Sequence, residues 1–208
     1  MNIEYIKPED IEKRSFSIIT DELGQMGIEL ADDTAPVIKR CIHTTADFDY
    51  ADTLRFSDNA VGIVSELVRK GACIVTDTNM ALTGINKRIL ERFGCRALCF
   101  MADEAVAKEA KERNITRASV SMEKAMQLGE PVIFVVGNAP TALITIHEHM
   151  RKGYRPAFVI GVPVGFVNVV AAKELILNSD VPYIVNEGRK GGSTVAAAIM
   201  NSILYELC

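Results

Sequence analysis

Tryptophan is absent from this chain, histidine occurs only three times, and no long uninterrupted apolar run is present. The most apolar stretch, 156–172, contains two prolines and two glycines, which argues against a membrane span. The N-terminal segment MNIEYIKPEDIEKRS is charged and lacks the apolar core of a signal peptide. We therefore expect a cytoplasmic protein with no membrane partner.

Motifs for several common chemistries are also missing. The sequence contains no GxGxxG and no GxxxxGK[ST], so it lacks the usual dinucleotide and P-loop signatures. It has no GxSxG, and His147 and His149 are two residues apart, unlike the pair of an HExxH zinc site. Five scattered cysteines without a CxxC are expected to be reduced thiols rather than metal ligands. A formal charge of −4 argues against a nucleic-acid partner.

What the chain does contain is a regular alternation of short apolar runs and helical stretches. This alternation is typical of a parallel sheet with helices on both faces. We predict a single domain over 1–208, with a three-layer α/β/α fold and a five-stranded parallel sheet of flavodoxin-like order 2-1-3-4-5. The five predicted strands lie in 72–77, 96–101, 131–137, 156–161 and 182–188.

Polar and glycine-rich clusters follow four of these runs: TDTN, GNAPT, GVPVG and NEGRKGG. Open α/β sheets bind ligands at the carboxyl ends of their strands, where the strand order reverses. With the assumed order, the TDTN and GNAPT clusters would flank this cleft. Each cluster also has a simpler interpretation, since the glycines could serve tight turns and Asp77 could cap a helix.

Cations near these clusters suggest an anionic ligand. The GRKGGST segment carries Arg189 and Lys190, and its backbone leads into a predicted helix whose first N–H groups favour an anion. Arg117 follows Thr116, a predicted helix cap, and could bind a carboxylate through two hydrogen bonds. A solvated turn and a surface arginine are the alternatives.

His43, in RCIHTTADFDY, has two possible roles. An imidazole can donate and recover a proton at neutral pH, as a general acid requires. The alternative is structural, because Thr44 and Thr45 follow directly and either could cap a new helix.

The clusters together resemble the precorrin-8X methylmutase family, also called cobalt-precorrin-8 methylmutases, of the cobalamin (vitamin B12) pathway. The resemblance runs in order through nearly the whole chain. Its matching segments are RSFSII (14–19), RCIH (40–43), TDTNMALTG (76–84), TRAS (116–119), VVGNAPTAL (135–143), IGVPVGFV (160–167) and GRKGGS (188–193). One departure is AAK at 171–173, where the family usually has Glu-Ser-Lys.

This resemblance implies a homodimer that moves a methyl group from C-11 to C-12 of a tetrapyrrole and hands its product to neighbouring pathway enzymes. No cofactor is implied, because any cobalt belongs to the substrate. His43 would be the proton donor to the ring. The implied substrate-binding residues are Ser15, Arg40, Thr76, Asp77, Arg117, Gly137, Asn138, Ala139, Arg189, Gly191 and Gly192. A non-catalytic tetrapyrrole carrier and a nucleotide or phosphate binder are the alternatives, and the sequence does not say whether the substrate contains cobalt.

Overall fold

A computed structural model describes residues 3–208. Its strands are β1 (Leu54–Phe56), β2 (Cys73–Thr76), β3 (Ala97–Leu98), β4 (Val132–Val136), β5 (Phe158–Gly161) and β6 (Tyr183–Asn186). They form one mixed sheet in the order β3-β2-β4-β5-β6-β1. The neighbours from β3 to β6 are parallel, and β1 is antiparallel to β6.

The predicted five-stranded, all-parallel sheet is wrong in one respect, since the sheet has a sixth strand. The α/β class and the five parallel strands are confirmed. The additional strand β1 has three residues and only one buried side chain, so the sequence has no apolar run there from which a strand could be predicted. Ser57, just after β1, fastens this edge by accepting a hydrogen bond from the Tyr183 N–H at 2.9 Å.

Helices cover both faces of the sheet. They are α1 (Ile11–Gln25), α2 (Ala35–Thr45), α3 (Tyr50–Thr53), α4 (Ala60–Arg69), α5 (Asn79–Gly84), α6 (Lys87–Arg92), α7 (Glu104–Glu112), α8 (Arg117–Met126), α9 (Pro140–Met150), α10 (Val169–Leu177) and α11 (Ser193–Glu206), preceded by a 3-10 turn at Pro8–Asp10. Within residues 3–208, none of these helices has the length and apolarity needed to cross a bilayer.

The alternation of side chains along β4 divides the core into two layers. Ile133 and Val135 pack into a cluster with α1, α2, α4 and α11. Phe134 and Val136 point the other way, into a cluster with α8, α9 and α10. Ala172, at the departure from the family pattern, is fully buried in the second cluster, so it is a core residue.

Candidate active site

Asp77, at the end of β2, is a buried anchor for the loop after β4. Its carboxylate accepts hydrogen bonds from the N–H groups of Gly137 (2.8 Å), Asn138 (2.8 Å) and Ala139 (2.6 Å). Burial raises the pKa of the Asp77 carboxyl, and these N–H groups oppose the rise. The side chain is fully buried, so it shapes the loop and has no surface for a ligand.

These three N–H groups lie in the loop directly before α9, and the last of them belongs to the N-cap residue Ala139. Thr76 is likewise fully buried, and its hydroxyl donates to the Thr78 carbonyl at 3.0 Å. Both predicted binding residues can act on a substrate only through the loops that they hold.

The loops after β2, β4, β5 and β6 bond to one another, and we call residues 77–79, 137–139, 162–166 and 187–192 the four-loop cluster. The Gly192 N–H donates to the Val162 carbonyl at 2.9 Å. A Cβ on Gly137 would lie 2.7 Å from the Cα of Ser193. Ser193, just beyond the cluster, shares a 2.8 Å hydroxyl hydrogen bond with Thr78. Glycine is therefore required where these backbones meet.

Gly191 is a position of the four-loop cluster where a side chain should destabilise the protein. Its φ is +152°, and a Cβ there would lie 2.1 Å from the Val162 carbonyl oxygen. Gly191→Ala should therefore lower the free energy of unfolding by about 3 kcal/mol, from backbone strain and steric overlap together. Urea unfolding measures this loss.

Gly188→Ala is the matched control. Gly188 also has a positive φ (+71°), but no atom lies within 4 Å of a Cβ at that position. The control should lose about 1 kcal/mol. Equal losses in the two variants would contradict the close packing of the four-loop cluster.

The N-terminus of α11 lies at this edge without a capping side chain. Its N-cap residue, Gly192, has no side chain to bond the first N–H groups. The guanidinium of Arg189 lies 5.3 Å from the centre of the Phe166 ring. Arg117, exposed at the start of α8, is held near the beginning of α9 by a 2.8 Å hydrogen bond between the Thr116 and Thr141 hydroxyls. Two predicted arginines therefore lie near the carboxyl ends of the strands.

His43 lies in a shallow groove of about 310 Å³ between α2, α5 and α11. It is exposed in the last turn of α2, with its ring centre 5.3 Å from that of Phe16. The helix continues to Thr45, so neither following threonine caps a new helix. The groove is lined by Arg40, His43, Thr44, Gly84, Thr194, Ala197, Ala198, Asn201 and Tyr205.

Small residues form the floor of this groove. Ala197 and Ala198 on α11 face Gly84 of α5, where an added Cβ would lie 2.9 Å from that of Ala197. Asn201 fixes the far wall by donating to the Gly84 carbonyl and accepting from the Asn86 N–H, both at 2.8 Å. A floor without long side chains suits a flat ligand.

Arg40, one turn before His43, borders both the groove and a neighbouring cavity of about 520 Å³. Its guanidinium lies 4.7 Å from the centre of the Phe16 ring and 5.1 Å from that of Tyr205. It forms a 2.5 Å ion pair with Glu12, while its buried Nε has no hydrogen-bond partner among residues 3–208. Arg40 thus already holds one carboxylate, that of Glu12, which lines the neighbouring cavity.

The start of α11 connects the groove beside His43 to the four-loop cluster. Thr194, in the first turn of α11, lines the His43 groove and directly follows Ser193, which bonds to the four-loop cluster. Ser15 lies on α1 beside Phe16 and donates to the carbonyl of Ile11 at 3.0 Å. Sequence reasoning missed the groove floor, because alanines spaced along a helix look the same as core residues. No group of three or more potential metal-binding side chains occurs in the described part of the chain.

Fold and groove together define a class: an α/β protein with a mixed six-stranded sheet and a shallow groove in which an exposed imidazole lies beside small residues. The family model described as precorrin-8X methylmutase matches residues 10–206. The cobalt-precorrin-8 methylmutase of Leptospira interrogans is 43% identical over 204 residues, covering 94% of this chain and 92% of that protein. Its Salmonella typhimurium counterpart is 42% identical, with 99% of each covered.

Solved structures agree. The precorrin-8X methylmutase of Thermus thermophilus is 38% identical and superposes with a TM-score of 0.85, covering 94% of this chain and 96% of that one. The chain belongs to the precorrin-8X methylmutase family, which confirms the resemblance seen in its motifs.

Proposed function

We propose that this chain moves a methyl group from C-11 to C-12 of precorrin-8X or cobalt-precorrin-8, giving hydrogenobyrinate or cobyrinate. Family membership supports the broader statement that it is an isomerase of cobalamin biosynthesis. The observation that carries the proposal is the position of His43, exposed beside a floor of small residues that leads to the open N-terminus of α11.

The reaction is an intramolecular shift in which the bond from methyl to C-11 breaks as the bond to C-12 forms. Atoms and electrons balance within the ring, so no oxidant, reductant or methyl donor is required. His43 protonates, or hydrogen-bonds strongly to, a ring nitrogen beside the migrating methyl and stabilises the charge that develops. The proton returns to the imidazole afterwards, so His43 is regenerated. We propose no resident cofactor, and any cobalt arrives in the substrate.

The carboxylates around the macrocycle need cations and N–H donors. The N-terminus of α11 and Arg189 supply these at one end of the site, with Arg117 at the same sheet edge. Arg40 supplies a third cation beside His43. In the free protein Glu12 is paired with Arg40, and a substrate carboxylate would replace it.

The protein is further proposed to act as a cytoplasmic homodimer that hands its product to neighbouring enzymes. Phe166 and Val167 in the loop before α10 are 82% and 79% exposed, and this apolar surface is suited to cover by a second copy. All five cysteines are free, as expected in a reducing compartment.

The test is an absorbance time course of the purified protein with each substrate form. Methyl migration changes the conjugation of the ring, so we expect a spectral change with precorrin-8X, its cobalt form or both. Tight binding of both forms without any spectral conversion would overturn the proposal in favour of a carrier. FMN and ATP should show no binding in parallel titrations.

A further inference from the structure

Lys173 is a buried cation that the proposed reaction does not use. It lies on α10 and is 1% exposed, which is rare for lysine. Its ammonium donates to the carbonyls of Gly188 at 2.8 Å and Lys190 at 2.7 Å. No carboxylate among residues 3–208 pairs with it, and burial lowers the pKa of Lys173 to about 8. A buried charge without an acidic partner destabilises the folded protein. The ammonium of Lys173 is therefore expected to have a function other than stability.

Lys173 binds the segment 188–192, whose backbone is flexible because of its glycines. Three of the five residues in 188–192 are glycines with positive φ. The two carbonyls bound by Lys173 lie on either side of Arg189, and the Lys190 carbonyl also accepts a 3.0 Å hydrogen bond from the Asn186 amide. One ammonium therefore fixes the backbone on both sides of Arg189.

Lys190 extends this connection toward His43. Its carbonyl is held by Lys173, while its own ammonium contacts the carboxylates of Asp47 and Asp49, each at 2.6 Å. These aspartates lie in the turn that follows α2, a few residues after His43. The same segment, 188–192, ends at Gly192, the N-cap of α11. Through the segment 188–192, Lys173 is thus connected both to the start of α11 and to the turn that follows α2.

We infer that Lys173 is a positioning residue of the substrate site: it holds 188–192 in the shape that presents Arg189 and the α11 N-terminus to a substrate carboxylate. This inference rests on the proposed function, because it assumes a ligand that carries carboxylates. The buried ammonium also places a fixed positive charge behind the segment, which favours an anion in front of it.

The test replaces the ammonium while keeping the volume of the side chain. In Lys173→Met the segment 188–192 loses both hydrogen bonds to the ammonium, so Arg189 is held less well and the KM for the tetrapyrrole substrate should rise by about tenfold. The kcat should stay close to wild type, because the imidazole of His43 is unchanged. The Kd of the product, from absorbance titration, should rise in parallel with KM.

Ile176→Ala is the control for destabilisation alone, since Ile176 is fully buried on the same helix and contacts the second core cluster. It should lower the melting temperature without changing KM or Kd. Lys173→Gln provides a second neutral variant that retains an N–H donor, and its KM should rise by a smaller factor.

An unchanged KM and Kd in either folded lysine variant would overturn the inference, as would an equal rise in Ile176→Ala. Failure of the proposed function is a separate result, because the wild-type protein would then show no conversion. The product Kd would still compare wild type with the variants in that case.

Discussion

His43→Ala should lower the rate of conversion by about 10²–10⁴-fold, the usual contribution of a positioned general acid. Binding of the product should remain close to wild type, because His43 is only one of the side chains that line the groove and the small residues of its floor are unchanged. The rate is read from the absorbance time course and the binding from a product titration.

Two variants sharpen the interpretation of that result. His43→Asn retains a hydrogen-bond donor but cannot transfer a proton at neutral pH, so it separates proton transfer from hydrogen bonding. His147→Ala removes a histidine from α9, outside the groove, and should leave the rate unchanged. Full activity in His43→Ala would exclude the proposed mechanism.

Asp77→Asn should produce the largest loss of stability, about 3 kcal/mol or more, because it disrupts a buried carboxylate that accepts three backbone N–H groups. An asparagine side chain would present an NH₂ group to at least one of these donors. Urea unfolding followed by circular dichroism measures the change in the free energy of unfolding.

Asp103→Asn is the control, since Asp103 accepts one backbone N–H at a helix start but is only half-buried, with its other oxygen in an ion pair with Lys124 near the surface. Asparagine caps helices about as well as aspartate, so the loss there should be small. Losses of equal size at the two positions would show that burial of the Asp77 carboxylate does not matter.

The parallel part of the fold could be predicted because most of its strands are short apolar runs covered on both faces, although β3 is only half-buried. β4 shows this, with every residue buried. β1 could not be predicted, since its three residues are stabilised by hydrogen bonds to β6 rather than by an apolar pattern of their own. Pairing at a sheet edge depends on a distant partner that local sequence does not reveal.

The candidate site, like the fold, could be predicted from the sequence only in part. Clusters after the strands were predicted from the chain of βα units, and two of their glycines, Gly137 and Gly191, do lie where backbones meet. The groove beside His43 was not predicted, because it depends on how α2, α5 and α11 pack. Lys173 was overlooked as well, since a lysine in a helix normally reaches solvent.

The four-loop cluster has a consequence for how such proteins diverge. Because its loops bond to one another, a substitution in one changes the space available to the rest, as Gly137 against Ser193 and Gly191 against Val162 show. Such positions are epistatic: a residue tolerated in one relative can be harmful in another. These loops should therefore be inherited as a set, and a chimera that joins loops from two relatives inherits the steric conflicts of both.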